Sequence, residues 1–347
     1  MDNCKKLLKE MEQASTLYQP GVFWQEASKL MFESLNNHGF DSFRRLPWSL
    51  IFFVPTYGSP GSSLSGKHIE SLQEWIVQQN LNSKQTQLLS TFSSGEERAL
   101  ADYRTLVASE YQTSLMPRLV DFSESTIGEP KEQFEFDGKR YSRSALNYLL
   151  GLSFFKKHAD LDNIGIIMEI GGGFGTMGEI VYKLMPTTRY INIDIPPTLC
   201  CSTYYLQQLV GRTEIKHPLE FLSFTSIQIE DLNLINVFAS WQVEKLKGKI
   251  DLFVNFISFQ EMEPEIVENY LFHVSRLQAE WVLLRNMREG KPLKAQRRFG
   301  VDKPIYSEDY ARMLEGYELV DTNVIPFGFK TVDGFHSELM LFKRAVY

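Results

Sequence analysis

The stretch Ile166-Ile-Met-Glu-Ile-Gly-Gly-Gly-Phe-Gly175 constrains this 347-residue chain more than any other. Its first five residues are mostly apolar and predict a buried strand over 166–170. The glycines at 171, 172, 173 and 175 then let the backbone turn sharply and approach a ligand where a Cβ would obstruct it. A helix predicted over 179–184 follows, so strand, turn and helix together predict a ligand site at the carboxyl end of the strand.

The rest of the second half repeats that alternation. Strands are expected over 166–170, 190–193, 234–239, 251–255 and 281–285, with helices over 179–184, 198–210, 265–278 and 307–314. Such alternation predicts a mostly parallel sheet covered on both faces. Segments 318–324 and 337–343 would close it as an antiparallel terminal hairpin. The first half reads differently, with helices over 5–17, 23–37, 69–79 and 96–110, the second carrying Trp24, Ala27, Leu30, Met31 and Leu35 at helical spacing. A loop rich in turn residues spans 57–66. A hairpin over 134–141 turns at Asp137-Gly138, and a helix over 142–158 leads into the second half. The expected division is 1–141, mainly helical, and 142–347, an α/β unit.

With 43% hydrophobic residues the chain can build its core without disulfides or metals. Cys4, Cys200 and Cys201 match neither a disulfide framework nor a zinc spacing. A net charge of −7 argues against nucleic acid as the main partner. The apolar runs 49–55 and 164–170 fall short of the roughly 20 residues a membrane span needs. The first residues lack a secretory pattern, so a cytoplasmic location is expected. Acid-rich metal-ligand spacing is absent, and folding Asp251, Glu261 and Glu263 together into a metal site is a minority reading.

The glycines admit two cofactors. Gly173-Phe-Gly175-Thr-Met-Gly178 satisfies the dinucleotide fingerprint G-x-G-x-x-G, which would make the chain a dinucleotide-dependent oxidoreductase. Glu169, two residues before the first glycine, opposes this, because an anion beside a pyrophosphate is counterproductive. Asp194, ending the second strand, suits the ribose of either cofactor. Glu169-x-Gly-x-Gly-x-Gly175 resembles the form found in class I S-adenosylmethionine-dependent methyltransferases. Together with Asp194-Ile-Pro-Pro-Thr-Leu199, Tyr204-Tyr-Leu206, Phe256-Ile-Ser-Phe-Gln-Glu-Met262, Tyr18-Gln-Pro-Gly-Val-Phe-Trp24 and Gly128-Glu-Pro130, it resembles the sugar O-methyltransferase family over most of the chain.

The resemblance implies an α/β, Rossmann-like, seven-stranded methyltransferase sheet, mostly parallel with an antiparallel terminal hairpin, preceded by a helical domain. It implies S-adenosylmethionine as cofactor and O-methylation of a sugar or sugar-containing small molecule, with a non-sugar natural-product precursor as the alternative. Glu169, Gly171, Gly172, Gly173, Phe174 and Gly175 would then surround the methionine part, Asp194 would hold the ribose, and Ile195 would flank the adenine. Trp241 would either stack on the adenine or serve as an ordinary core residue. Asn255 and Phe256 would lie beneath the sulfonium.

Methyl transfer to an alcohol needs a positioned acceptor and removal of its proton. The loops above the strand ends offer Ser258, Gln260, Glu261, Asn286 and His336. Glu261 and His336 are the candidate proton acceptors. Glu261 would otherwise be a carboxylate favoured by a helix N-terminus beside Pro264, and His336 a polar hairpin residue. Gln260 and Asn286 would orient sugar hydroxyls. Lys291, Lys294, Arg297 and Arg298, in the loop after the fifth strand, are either a solvated charge run or a phosphate subsite. In the latter case Lys294 and Arg297 would bind a nucleotide-linked or phosphorylated sugar. Trp24, Phe40, Phe43, Trp48 and Tyr57 would cover the acceptor or form the surface of a homodimer.

Overall fold

The computed structural model describes residues 1–54, 66–110, 115–331 and 334–345. The first part contains helices α1 (Asp2–Gln13), α2 (Val22–His38), α3 (Pro47–Phe52), α4 (Gly66–Gln78), α5 (Ser83–Ser94) and α6 (Glu96–Glu110), then the hairpin β1 (Phe134–Phe136) and β2 (Lys139–Tyr141). Helix α7 (Arg143–Phe155) follows. The alternating part comprises β3 (Ile166–Ile170), α8 (Thr176–Leu184), β4 (Arg189–Asp194), α9 (Thr198–Val210), β5 (Ile227–Gln228), β6 (Ile235–Ala239), β7 (Leu246–Lys247) and β8 (Leu252–Phe256). It continues through α10 (Pro264–Arg276), β9 (Trp281–Met287), α11 (Ser307–Met313), β10 (Tyr317–Asn323), β11 (Phe329–Lys330) and β12 (His336–Arg344).

The main sheet has the order β10-β12-β9-β8-β3-β4-β6. Strands β9, β8, β3, β4 and β6 are parallel neighbours, whereas β12 runs antiparallel between β9 and β10. This is the mostly parallel sheet with an antiparallel terminal hairpin expected from the sequence, with the two-residue β11 added beside β12. The chain moves outward from β3 through β4 to β6 and then restarts at β8 on its other side. The loops after β3 and β8 therefore diverge and open a crevice at the carboxyl ends of the strands.

Apolar strands buried on both faces need cover on both. Residues of α7, α8 and α9 pack on one face in a core that also takes in Leu7, Met31 and Leu106 of the N-terminal helices. Helices α10 and α11 cover the other face through residues such as Leu271 and Tyr310. Helix α7 is buried along its whole length, because it packs against β9 and α8 and is itself covered by α6. All three cysteines are free and buried. No helix among the described residues is long and apolar enough to cross a membrane.

Local chemistry accounts for the differences from expectation. Helix α1 stops at Gln13, before the expected 17, because Ser15 caps a separate 3-10 turn over Thr16–Tyr18 that buries Tyr18. Helix α5, too polar to show an apolar stripe, has an Asn82–Gln85 capping box at its start and Gly95 with φ 82° at its end. The 134–141 hairpin turns as expected on Asp137 (φ 49°) and Gly138 (φ 74°). Of the loop expected over 57–66, residues 57–65, including Tyr57, lie outside the described residues, and Gly66 opens α4.

Candidate active site

A cavity of about 920 Å³ lies over the carboxyl ends of β3, β4 and β8 and is walled by the glycine turn, the end of β4 and the loops after β8 and β9. Gly171 and Gly173 have φ of 71° and 61°, and both line it together with Gly172 and Phe174. A Cβ on Gly172 would stand 2.5 Å from Asn192 Oδ1 and 2.6 Å from Glu169 Oε2, so only glycine fits there. Gly175, with φ 100°, is the N-cap of α8. Phe174 is wedged edge-on against Phe53 and Tyr205, with the Arg44 guanidinium 4.7 Å above its ring.

Asp194 faces the same cavity. Its carboxylate accepts hydrogen bonds from the backbone N–H of Gly173 (3.1 Å) and of Ile195 (2.7 Å), which joins the end of β4 to the glycine turn. Burial pushes its pKa up to about 8, with these two N–H groups acting against the shift. Ile195 and Thr198 line the wall beside it, and the Thr198 hydroxyl has no hydrogen-bond partner. Glu169 stands beneath the turn instead of on the wall. Tyr148 and Tyr190 donate to its two oxygens at 2.7 and 2.5 Å, and burial lifts its pKa to about 7 despite them.

The remaining cofactor candidates divide. Phe256 lines the cavity, its ring stacked on Tyr148 with centroids 5.1 Å apart. Asn255 is fully buried behind it and bonds to the Ile170 carbonyl, Ser258 Oγ and the Phe259 N–H, which anchors the loop after β8. Trp241 does not reach the wall and packs against both hydrophobic cores.

The loop residues Ser258, Gln260 and Glu261 all reach the cavity. Gln260 is held from two sides, its N–H donating to Asn286 Oδ1 at 3.0 Å and its Oε1 accepting from the Met287 N–H at 2.7 Å. Asn286 is fully buried and serves as this anchor, away from the wall. Glu261 makes an ion pair with Lys291 at 2.6 Å, so its carboxylate is not engaged at the start of α10, where Glu263 is the N-cap. Burial raises the Glu261 pKa, opposed by Lys291 and by the Trp24 indole. His336 is off the wall, its Nδ1 2.5 Å from Glu289 Oε1. Lys294 is exposed and also off the wall, while Arg297 and Arg298 reach it. Asp251 caps the N–H groups of Gly165 and Ile166 at the opposite end of the sheet, remote from Glu261 and Glu263.

Much of the wall was absent from the sequence reading. Tyr148 and Asn147 come from α7, whose uniform apolar character hides any inward face. Residues Gln19, Pro20 and Gly21, from the first half of the chain, line the cavity as a strap. The strap is held by Ser240 Oγ donating to the Tyr18 carbonyl (2.7 Å) and by the Tyr18 hydroxyl against Glu244 (2.7 Å) and His273 (2.8 Å). Beyond it Phe23, Trp24, Phe52 and Phe299 form an aromatic cluster, with Lys291 Nζ 4.3 Å from the Phe23 ring centroid.

No protein-family profile matches the chain, and no curated protein does. Among solved structures, the Synechocystis PCC 6803 magnesium protoporphyrin IX methyltransferase with bound S-adenosylhomocysteine aligns at 12% identity, over 58% of this chain and 84% of that one, with a TM-score of 0.40. A geranyl diphosphate C-methyltransferase from Streptomyces coelicolor A3(2) aligns at 12% identity over 59% and 80% of the two chains, with a TM-score of 0.41. The pyocyanin biosynthetic protein PhzM aligns at 12% identity over 58% and 57%, with a TM-score of 0.37.

Proposed function

We propose that this chain is an S-adenosylmethionine-dependent methyltransferase acting on a hydroxyl of a sugar or sugar-containing small molecule. The observation that carries the nucleoside-cofactor part of this reading is the Asp194 carboxylate, desolvated, facing the cavity and tied to the glycine turn at 3.1 Å. A buried carboxylate in that position lacks strong donors, and a ribose diol offers two O–H groups. The unpartnered Thr198 hydroxyl on the same wall fits the same ligand. Gly171, Gly172, Gly173 and Phe174 would hold the methionine part, Asp194 the ribose and Ile195 the adenine.

When bound, the cofactor supplies an electrophilic methyl carbon on a sulfonium, which departs as the neutral thioether. The chain's own residues do the rest. Glu261 takes the proton of the acceptor hydroxyl as the oxygen–carbon bond forms, and Lys291 with the Trp24 indole opposes the rise that burial imposes on that carboxyl's pKa. Gln260, fixed by Asn286 and Met287, presents its side-chain amide to the acceptor. The strap and the aromatic cluster, contributed largely by the first 141 residues, exclude water and offer flat surfaces to the C–H faces of a sugar ring.

Calorimetric titration with S-adenosylhomocysteine, with NAD as the competing ligand, tests the cofactor. Micromolar binding that disappears in Asp194→Ala supports the reading. No heat with S-adenosylhomocysteine but a clear NAD signal would replace it with dinucleotide chemistry, which Gly173, Gly175 and Gly178 also permit.

A further inference from the structure

Resting on that reading, we infer that the acceptor is an uncharged polyhydroxyl compound with one apolar face, and that carboxylates set around the cavity select against phosphorylated acceptors. The loop after β9, with four cations in eight residues, points by composition to phosphate. Folding changes this, because four of the six cations that reach the wall arrive already paired with carboxylates. Lys291 lies 2.6 Å from Glu261, Arg143 lies 2.9 Å from Glu132, Arg298 lies 2.7 Å from Glu26, and Arg45 lies 3.2 Å from Glu129. Arg297 has an interaction of its own, and Lys131 is exposed.

The first two pairs decide the selectivity. Arg143 and Glu132 are 8% and 7% exposed, and Lys291 and Glu261 are 17% and 12% exposed. A phosphate drawing either cation away would leave a buried carboxylate without its counter-charge, a cost that outweighs a new ion pair of the same kind. The exposed pairs at Arg298 and Arg45 add little. A neutral polyol avoids the exchange, because its hydroxyls both donate to and accept from an intact ion pair. Between the pairs the wall is aromatic, with Phe52 and Phe299 centroids 5.2 Å apart and Phe23 and Phe299 5.7 Å apart. Such a surface takes an apolar ring face and repels a hydrated anion. Glu132 thereby becomes a specificity-determining residue outside the proposed transfer chemistry, while Glu261 serves both purposes.

The test is calorimetry on protein saturated with S-adenosylhomocysteine, titrated with phenyl β-D-glucopyranoside and separately with its 6-phosphate. The neutral glycoside is expected to bind at least about tenfold more tightly than the phosphate ester. Glu132→Gln and Glu261→Gln, each confirmed to retain S-adenosylhomocysteine binding, should each narrow that gap at least threefold or so by releasing a cation. Equal or tighter binding of the phosphate ester by the unaltered protein, no binding of the neutral glycoside up to about 10 mM, or an unchanged gap in both variants overturns the inference. Failure to bind S-adenosylhomocysteine at all brings down the cofactor reading instead.

Discussion

The two ends of the cavity are built in different ways. The proposed cofactor end is made mainly of backbone, a glycine turn and the terminus of one strand, with one carboxylate, Asp194, held by two backbone N–H groups, all within residues 169–195. The acceptor end is made of side chains drawn from α2, α3, α7 and the loops after β8 and β9. A site of the first kind is fixed by the sheet and tolerates no change of shape, whereas the second can change one wall at a time. The contrast yields predictions that differ in size.

The sharpest break should come at the backbone end. Gly173→Val forces a β-branched residue into φ 61°, and Asp194→Ala removes the anion the turn is tied to. Each is expected to weaken S-adenosylhomocysteine binding by about 100-fold or more, roughly 2.7 kcal/mol, by calorimetry. If either retained near-normal affinity, the glycine turn and its carboxylate would not define this end. At the side-chain end, Glu261→Gln should lower turnover by roughly 10²–10³-fold with S-adenosylhomocysteine affinity unchanged. Because burial raises the Glu261 pKa, the rate of the unaltered enzyme should fall as pH drops through that raised value. A variant with normal turnover would leave the proton acceptor elsewhere.

Protonation separates the ends in a second way. In the ligand-free protein Asp194 has a pKa of about 8 and Glu169 of about 7, both above the ordinary carboxylate values of 3.8 and 4.5. Between those limits the folded state holds protons that the unfolded chain has lost, so stability should decline as pH rises from about 4 to about 8. A thermal midpoint that rose over this window would contradict these raised values. Ribose hydroxyls donating to Asp194 favour its charged form, so S-adenosylhomocysteine binding near pH 7 should release about one proton. That release is measured as a binding heat that varies with the buffer's ionisation enthalpy. The smallest functional effect is expected at Trp241, which packs on core residues away from the wall. Trp241→Ala should cost about 1–3 kcal/mol in denaturant unfolding yet leave cofactor affinity within about twofold. A larger loss of affinity would return the indole to the adenine.

The same contrast explains what could be read from the chain. Strand β3 and helices α6 and α9 fall on their expected bounds because apolar periodicity, caps and glycines act within a few residues. The antiparallel neighbour of β9 was legible from the spacing of the last two strands. The roles of Glu169, Asn255 and Asn286 were not. Their partners, Tyr148 and Tyr190 for Glu169, Ile170 for Asn255 and Gln260 for Asn286, come from other elements. Lys291 was legible as a cation, but its neutralisation by Glu261 depends on two loops thirty residues apart meeting above the sheet. Tyr148 carried no signal, since α7 is buried on every side and shows no polar face from which to infer an inward one.

The strap over Gln19, Pro20 and Gly21 has a consequence for descent. It and the neighbouring Phe23, Trp24 and Phe52 lie in a part of the chain that contributes no strand to the main sheet. A lineage can therefore redraw the proposed acceptor wall by drift or recombination in this part while the strand ends that form the proposed cofactor site stay as inherited. Relatives should accordingly diverge faster between residues 25 and 53 than between residues 169 and 195, a pattern of rates that a sequence collection can be asked to display.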